Sequence, residues 1–256
     1  MPALVPLLGL GAAAAAAGAI NSVAGGGSLL SFPALVAFGQ PAVIANATNT
    51  AAVCPGTLSS ALAYRREFPR ERGLVVSLLT ASFLGGLLGA AILVKTPSAL
   101  FERITPFLVL FATAVFAFRG RFARLVNCTK GPGRTGPWAR AGGFAFQFLV
   151  ATYGGYFGAG AGLLMLASFS LLGVGDISRM NALKTTLATV LNGIAIAYFA
   201  AAGLIRWPLA LYMGACAMAG GYTGARLARR LDQRVLHKVV VGLGLVASAW
   251  LFVKAP

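Results

Sequence analysis

From Met1 to Tyr64 the chain carries no charged side chain, yet the run is not uniformly apolar. Gly25-Gly26-Gly27, Gly39-Gln40-Pro41 and Pro55-Gly56 interrupt it, and Asn46, Thr48, Asn49 and Thr50 crowd one short stretch. A helix that faces only lipid needs none of these. Glycine lets a backbone turn or approach another group closely. At membrane depth, non-helical backbone persists only where it is buried in protein or lines a cavity. The stretch from Ile20 to Arg65 therefore reads as one half of a transport site.

The rest of the composition agrees with a membrane setting. The chain is 58% hydrophobic and 10% charged, outside the soluble globular range. Several apolar runs reach the ~20 residues that span a bilayer as a helix. The net charge of +16 lies mainly between these runs. There Lys and Arg mark cytoplasmic loops, so nucleic acid is not expected as a partner; the bilayer is. Cys54, Cys128 and Cys216 show no metal-ligand spacing and define no disulfide or redox compartment. The N-terminus lacks a basic leader region, so its apolar start is expected to stay as a helix.

Five segments precede a basic linker. They run over about Ala3–Ala24, Ser28–Phe38, Val43–Tyr64 with a kink at Pro55, Leu74–Val94 and Ile104–Phe118. Lys95–Arg103 reads as a polar break. The second segment is too short to cross at ~1.5 Å per residue, so it is a half-helix or a steeply broken one, and with the first it forms either a hairpin or a re-entrant loop. Residues 119–141 form the linker, rich in Arg, Gly and Pro without an acid. The second half then repeats the first. A shift of 135 positions carries Gly25 to Gly160, Asn46 to Asn181 and Gly85-Gly86 to Gly220-Gly221. Residues 1–118 and 142–256 are thus two repeats. The basic cluster follows the third segment in the first half (Arg65–Arg72) but the fourth in the second (Arg226–Lys238). If all basic loops are cytoplasmic, the halves run in opposite directions. The expected fold is an all-α polytopic bundle of two inverted-topology repeats, with a site near mid-bilayer between repeats that rock against each other.

The candidate site residues are those a lipid-facing helix would avoid. Gly25, Gly26, Gly27 and Ser28 precede one short segment, and Gly158, Gly160 and Gly162 precede its counterpart. The start of a half-helix presents free N–H groups and a positive dipole end, which favour an anion. Gly85-Gly86 and Gly220-Gly221 have no polar neighbours and read as helix packing, which would suit a homodimer or internal contacts equally. Asn46, Thr48 and Asn49, with Asn181 and Thr185, are expected to line the site. Lys184 lies within a long apolar run, where a charge is a functional candidate. Asp176 reads as a cap or loop residue. No acid lies deep in a span and the single histidine, His237, sits in a basic flank. A carboxylate proton relay, a metal centre, a catalytic pair and a nucleotide-binding loop therefore lack residues; no enzyme activity and no cofactor are expected.

Three stretches carry a family resemblance: VAGGGSLLSFPALVAFGQPAVIANATNTAAVCPGTLSSALAYR, YFGAGAGLLMLASFSLLG and NALKTTLATVLNGIAIAYF. Their order of glycines, Gly-x-Pro and Ala-x-Ala-Thr-Asn resembles the sulfite exporter TauE/SafE family over about Leu7–Phe252. The resemblance implies a multi-pass inner-membrane permease that moves sulfur-containing anions such as sulfite or sulfonates, often outward. Two alternatives stand beside it: a transporter or channel for a cation or uncharged solute, and a membrane scaffold that transports nothing.

Overall fold

A computed structural model describes residues 4–23, 26–69, 71–118, 137–174, 176–227 and 233–254. Among these residues the chain forms ten α-helices, one 3-10 turn at Arg65–Glu67 and no strand. The first half contains α1 (Leu4–Val23), α2 (Ser28–Ala37), α3 (Ala42–Ala63), α4 (Arg72–Lys95) and α5 (Ser98–Ala117). The second contains α6 (Pro137–Tyr156), α7 (Ala161–Leu171), α8 (Ile177–Ala201), α9 (Trp207–Leu227) and α10 (Gln233–Lys254). Among the described residues four helices are long and apolar enough to cross a membrane: α4, α5, and most of α8 and α10. The chain is an all-α, multi-pass membrane protein.

Two boundaries differ from the sequence reading. α5 begins at Ser98, because Pro97 sets a turn at φ −56° and the polar Glu102 and Arg103 are carried on the helix. α6 begins at Pro137, inside the stretch assigned to the linker. Proline suits a first helical position, where its missing N–H would have no helical partner. Gly25, most of the linker, Cys128, Arg229 and Arg230 lie outside the described residues. Pro55 is carried within α3 without ending it.

The register of the repeat is visible in the helix starts. The 135-residue shift carries Ala42 to Ile177, Arg72 to Trp207 and Ser98 to Gln233, each pair opening corresponding helices. The short α2 and α7, at 10 and 11 residues, are counterparts too. Each folds back on the helix before it. Gly27 lies against Ala17, and Gly9 against the ring of Phe38, so α2 runs antiparallel to α1 with its start level with the latter part of α1. The first two segments thus form a helical hairpin with one short arm.

Packing crosses the halves. α4 packs against α6 and α8, while its counterpart α9 packs against α1 and α3. α5 meets its own counterpart α10, where Ser248 donates to the carbonyl of Pro106 at 3.0 Å. The glycine faces serve these contacts. A Cβ at Gly18 or Gly220 would overlap the backbone of the facing helix in the α1–α9 pair, and one at Gly89 or Gly155 would do so in the α4–α6 pair. The backbones therefore touch directly, as small residues permit between membrane helices. One apolar core, including Leu78, Met165, Phe169, Leu183 and Leu187, joins α4, α6, α7 and α8. A second, larger one gathers the remaining helices together with Ala90 and Leu93 of α4 and Ala195 and Phe199 of α8.

Candidate functional site

The starts of α2 and α7 both lie against α5, in the middle of the molecule. Gly26 (φ 90°) precedes α2, and its missing Cβ would meet the Phe116 ring; Gly160 (φ 79°) precedes α7 and lies beside Ala112, one turn away on α5. Gly158 also has φ 81°. Left-handed backbone of this kind costs a side chain energy and leaves glycine unstrained. The Tyr153 hydroxyl donates to the Ala159 carbonyl at 2.7 Å and fixes the turn into α7. The ring of Phe157, in that turn, meets Phe32 of α2 edge-on at 5.1 Å. At the other end of α2, Lys254 Nζ donates to the Val36 carbonyl at 3.2 Å, a cation at the negative end of the short helix.

A cavity of roughly 410 Å³ opens among α1, the start of α2, α3 and α9. Its polar groups are Asn21, Ser31, Asn49, Ser59, Ser60 and Tyr222, with Gly27 beside them. Its apolar wall includes Ala14, Ala17, Val53 and Met213, and no charged side chain lines it. Asn49 is 4% exposed and Ser31 2%. The Ser31 hydroxyl lies 2.6 Å from Asn49 Oδ1, which accepts its proton. This bond turns the amide of Asn49, whose Nδ2 donor has no partner among the described residues. The pair thus sits on the cavity wall beside the positive end of α2, with the amide N–H groups of Asn49 not engaged by a described residue.

The structure does not gather every expected residue here. Gly27 and Asn49 line the cavity, and Gly26 and Ser28 flank them in the turn and first residue of α2. Asn46 Nδ2 instead donates to the Tyr156 carbonyl at 2.9 Å, tying α3 to the end of α6. Thr48 Oγ1 accepts from the Arg206 N–H at 3.1 Å, just before α9. Thr185 donates to its own helix, at the Asn181 carbonyl. Lys184 stands at the position in the second half that Asn49 holds in the first. Its alkyl chain rests on Gly162, and its ammonium donates to Asn181 Oδ1 at 3.0 Å. No carboxylate pairs with it among the described residues. Asp176 caps α8, accepting from the Ser178 N–H at 2.9 Å.

Asn46 is therefore a joint between helices of different halves. Asn46→Ala is expected to leave the Tyr156 carbonyl without this donor and to destabilise the protein by about 1–3 kcal/mol. A thermal melt of the purified variant in detergent checks this; an unchanged melt would remove the joint from the account.

Sequence reading passed over Ser31, Asn21, Ser59 and Ser60, because lone hydroxyls and amides in a helix usually bond locally. A signal was present in the comparison of the halves. Gly56 corresponds to Leu191, Ala52 to Leu187 and Gly214 to Leu79. Small residues around the cavity thus correspond to leucines at the repeat-related positions, so the space open among α1, α2, α3 and α9 is filled among α4, α6, α7 and α8. Leu191 indeed covers Gly86 and Gly154.

An apolar helical bundle with two broken hairpins meeting at its centre, and an uncharged donor cavity beside one of them, defines a membrane transporter. The chain belongs to the Sulfite exporter TauE/SafE family, whose profile matches residues 10–251. It is 28% identical over 235 residues to a "Probable membrane transporter protein" of Haemophilus influenzae, covering 90% of this chain and 88% of that one. It is also 28% identical over 247 residues to the "Probable membrane transporter protein YfcA" of Escherichia coli K12, covering 91% and 84%. A "Probable membrane transporter protein ORF9" of Sinorhizobium sp is 28% identical over 240 residues, covering 90% and 85%. No solved structure matches the chain.

Proposed function

We propose that this transporter moves a small sulfur-containing anion, sulfite or an organosulfonate, out across the inner membrane by alternating access, without chemical catalysis. The observation that carries the reading is Asn49, buried on the wall of an uncharged cavity at the start of α2, with its Oδ1 taken by Ser31 so that its N–H donors are left for a guest. Such a site attracts an anion by dipole and N–H donors and offers a cation no oxygen-rich acid.

The halves are read as inverted. α9 runs alongside α3 in the same direction: Ala52 lies beside Gly214, and Thr48 bonds Arg206 just before α9. α9 follows α8 across the short connection 202–206, which reverses the chain. α8 then opposes its counterpart α3. The Ser59, Ser60 and Tyr222 end of the cavity lies toward the ends of α3 and α9, which lead to Arg65, Arg66 and Arg72 and to Arg226, Arg229 and Arg230. With those basic segments and the linker cytoplasmic, the cavity faces inward. Asn181, Lys184 and Thr185, with Gly158, Gly160 and Gly162, would meet the anion in the opposite arrangement, Lys184 adding positive charge.

The test is flux by purified protein in liposomes loaded in turn with sulfite, sulfate, a small sulfonate and acetate. Selective movement of a sulfur anion is expected. Asn49→Ala should cut its flux about tenfold or more, because a hydrogen bond to a charged group is worth ~1.5–3 kcal/mol. Correctly folded protein that moves none of these anions would overturn the reading.

A further inference from the structure

The transport reading leaves open which parts of the protein move, and the packing bears on this directly. The inference rests on that reading. The two sequence repeats are not the two packed units. α4 leaves its own repeat to pack on α6 and α8, and α9 leaves its own to pack on α1 and α3.

Three observations make each of these groups a unit. First, the contacts that join the exchanged helix to its group are backbone on backbone. A Cβ at Gly18 would overlap the Ala217 carbonyl and one at Gly220 the Ala15 carbonyl; across the symmetry, one at Gly89 would overlap the Thr152 carbonyl. Helices in contact without intervening side chains have no rotamers to adjust, so any slide produces a clash. Second, the α4 group has an apolar cluster of its own beside the larger one that spans both groups, and buried polar atoms knit it, with Gln147 donating to Ser82 at 2.9 Å across the α4–α6 seam. Third, the whole cavity lies within the other group, on α1, α2, α3 and α9. Rocking one sequence half against the other would tear α9 from α1 and split the cavity wall.

Between the groups α3 packs along α8, but no described glycine brings one backbone onto another across this seam. Phe32 meets Phe157 edge-on at 5.1 Å, and Asn46 reaches Tyr156 through one hydrogen bond. These are side-chain contacts, which rotamer changes can remake at small cost.

We infer that the moving units are these two crossed four-helix bodies, α1–α2–α3–α9 and α6–α7–α8–α4, and that the first carries the cavity with it. Each body takes three helices from one repeat and one from the other. α5 and α10, which pack on each other, belong to neither body; α10 touches α2, and α5 touches α2, α3 and α7.

Pulsed electron-spin distances test this in the full chain, with Cys54, Cys128 and Cys216 replaced by alanine. Labels go on the exposed positions Leu8 of α1, Leu211 of α9, Val76 of α4 and Leu149 of α6, at 64%, 69%, 60% and 64% exposure. Distances are read in liposomes with and without a sulfite gradient, on variants first assayed for sulfite flux. Leu8–Leu211 and Val76–Leu149 are expected to hold constant although each joins different repeats. Leu8–Val76 and Leu211–Leu149, each within one repeat, are expected to shift. Constant distances within repeats, with shifting distances between α1 and α9, would overturn the inference, as would four constant distances in a variant that transports. A labelled protein with no flux of any anion would instead sink the transport reading, and this inference with it.

Discussion

Gly56→Leu is expected to stop transport while leaving the protein at least as stable as before. Gly56 lines the cavity, and nothing lies within 4 Å of where its Cβ would stand. The repeat shows that a leucine fits this framework. Its counterpart, Leu191, is 3% exposed, and its Cγ would lie 3.3 Å from a Cβ at Gly86. A leucine at 56 would cover Gly221 in the same manner and occupy the space between α3 and α9. Glycine inside a helix costs about 1 kcal/mol relative to a good helix former, so the substitution also favours α3. Sulfite flux in liposomes and a thermal melt together decide the matter. The expected pair is lost flux with an equal or higher melting temperature. Full flux from a protein carrying Leu at 56 would show that the anion does not pass through this cavity.

Gly18→Leu and Gly89→Leu should have the opposite character, abolishing the folded protein. In each case the new side chain meets a backbone carbonyl, Ala217 for Gly18 and Thr152 for Gly89. A backbone inside a helix pair cannot turn aside as a side chain can. The expected destabilisation is about 3 kcal/mol or more. Gly193→Leu and Gly242→Leu are the controls, because a Cβ at either position meets nothing within 4 Å. Yield of monodisperse protein by size-exclusion chromatography, followed by melting, reads the difference. Normal yield of Gly18→Leu and Gly89→Leu would mean that the α1–α9 and α4–α6 seams are looser than described.

These two glycine classes show what a sequence can and cannot say. Gly85-Gly86 and Gly220-Gly221 were legible as packing glycines, since no polar neighbour accompanies them. Their partners were not legible. Gly89 packs on Thr152 and Gly18 on Ala217, and nothing local in either helix names a partner so far along the chain. The candidate site was legible in part. Asn49 and Gly27 stood out because amides and glycines are out of place in a lipid-facing run. Ser31, the partner that orients Asn49, did not, because its role depends on a helix antiparallel to its own.

The sequence by itself determined the membrane class, the half-length of α2 and α7, and the breaks before them. All of these follow from local chemistry: hydropathy, glycine, proline and the cost of buried charge. The tertiary structure decided that α4 and α9 trade places between the halves, that the cavity is shared by α1, α2 and α3 of one half and α9 of the other, and that Asn46 is a joint while Asn49 lines the open space. In a bilayer every helix can be apolar all round, so periodicity does not mark which face meets which neighbour. That choice is made by shape, where one backbone finds another close enough to exclude a single methyl group.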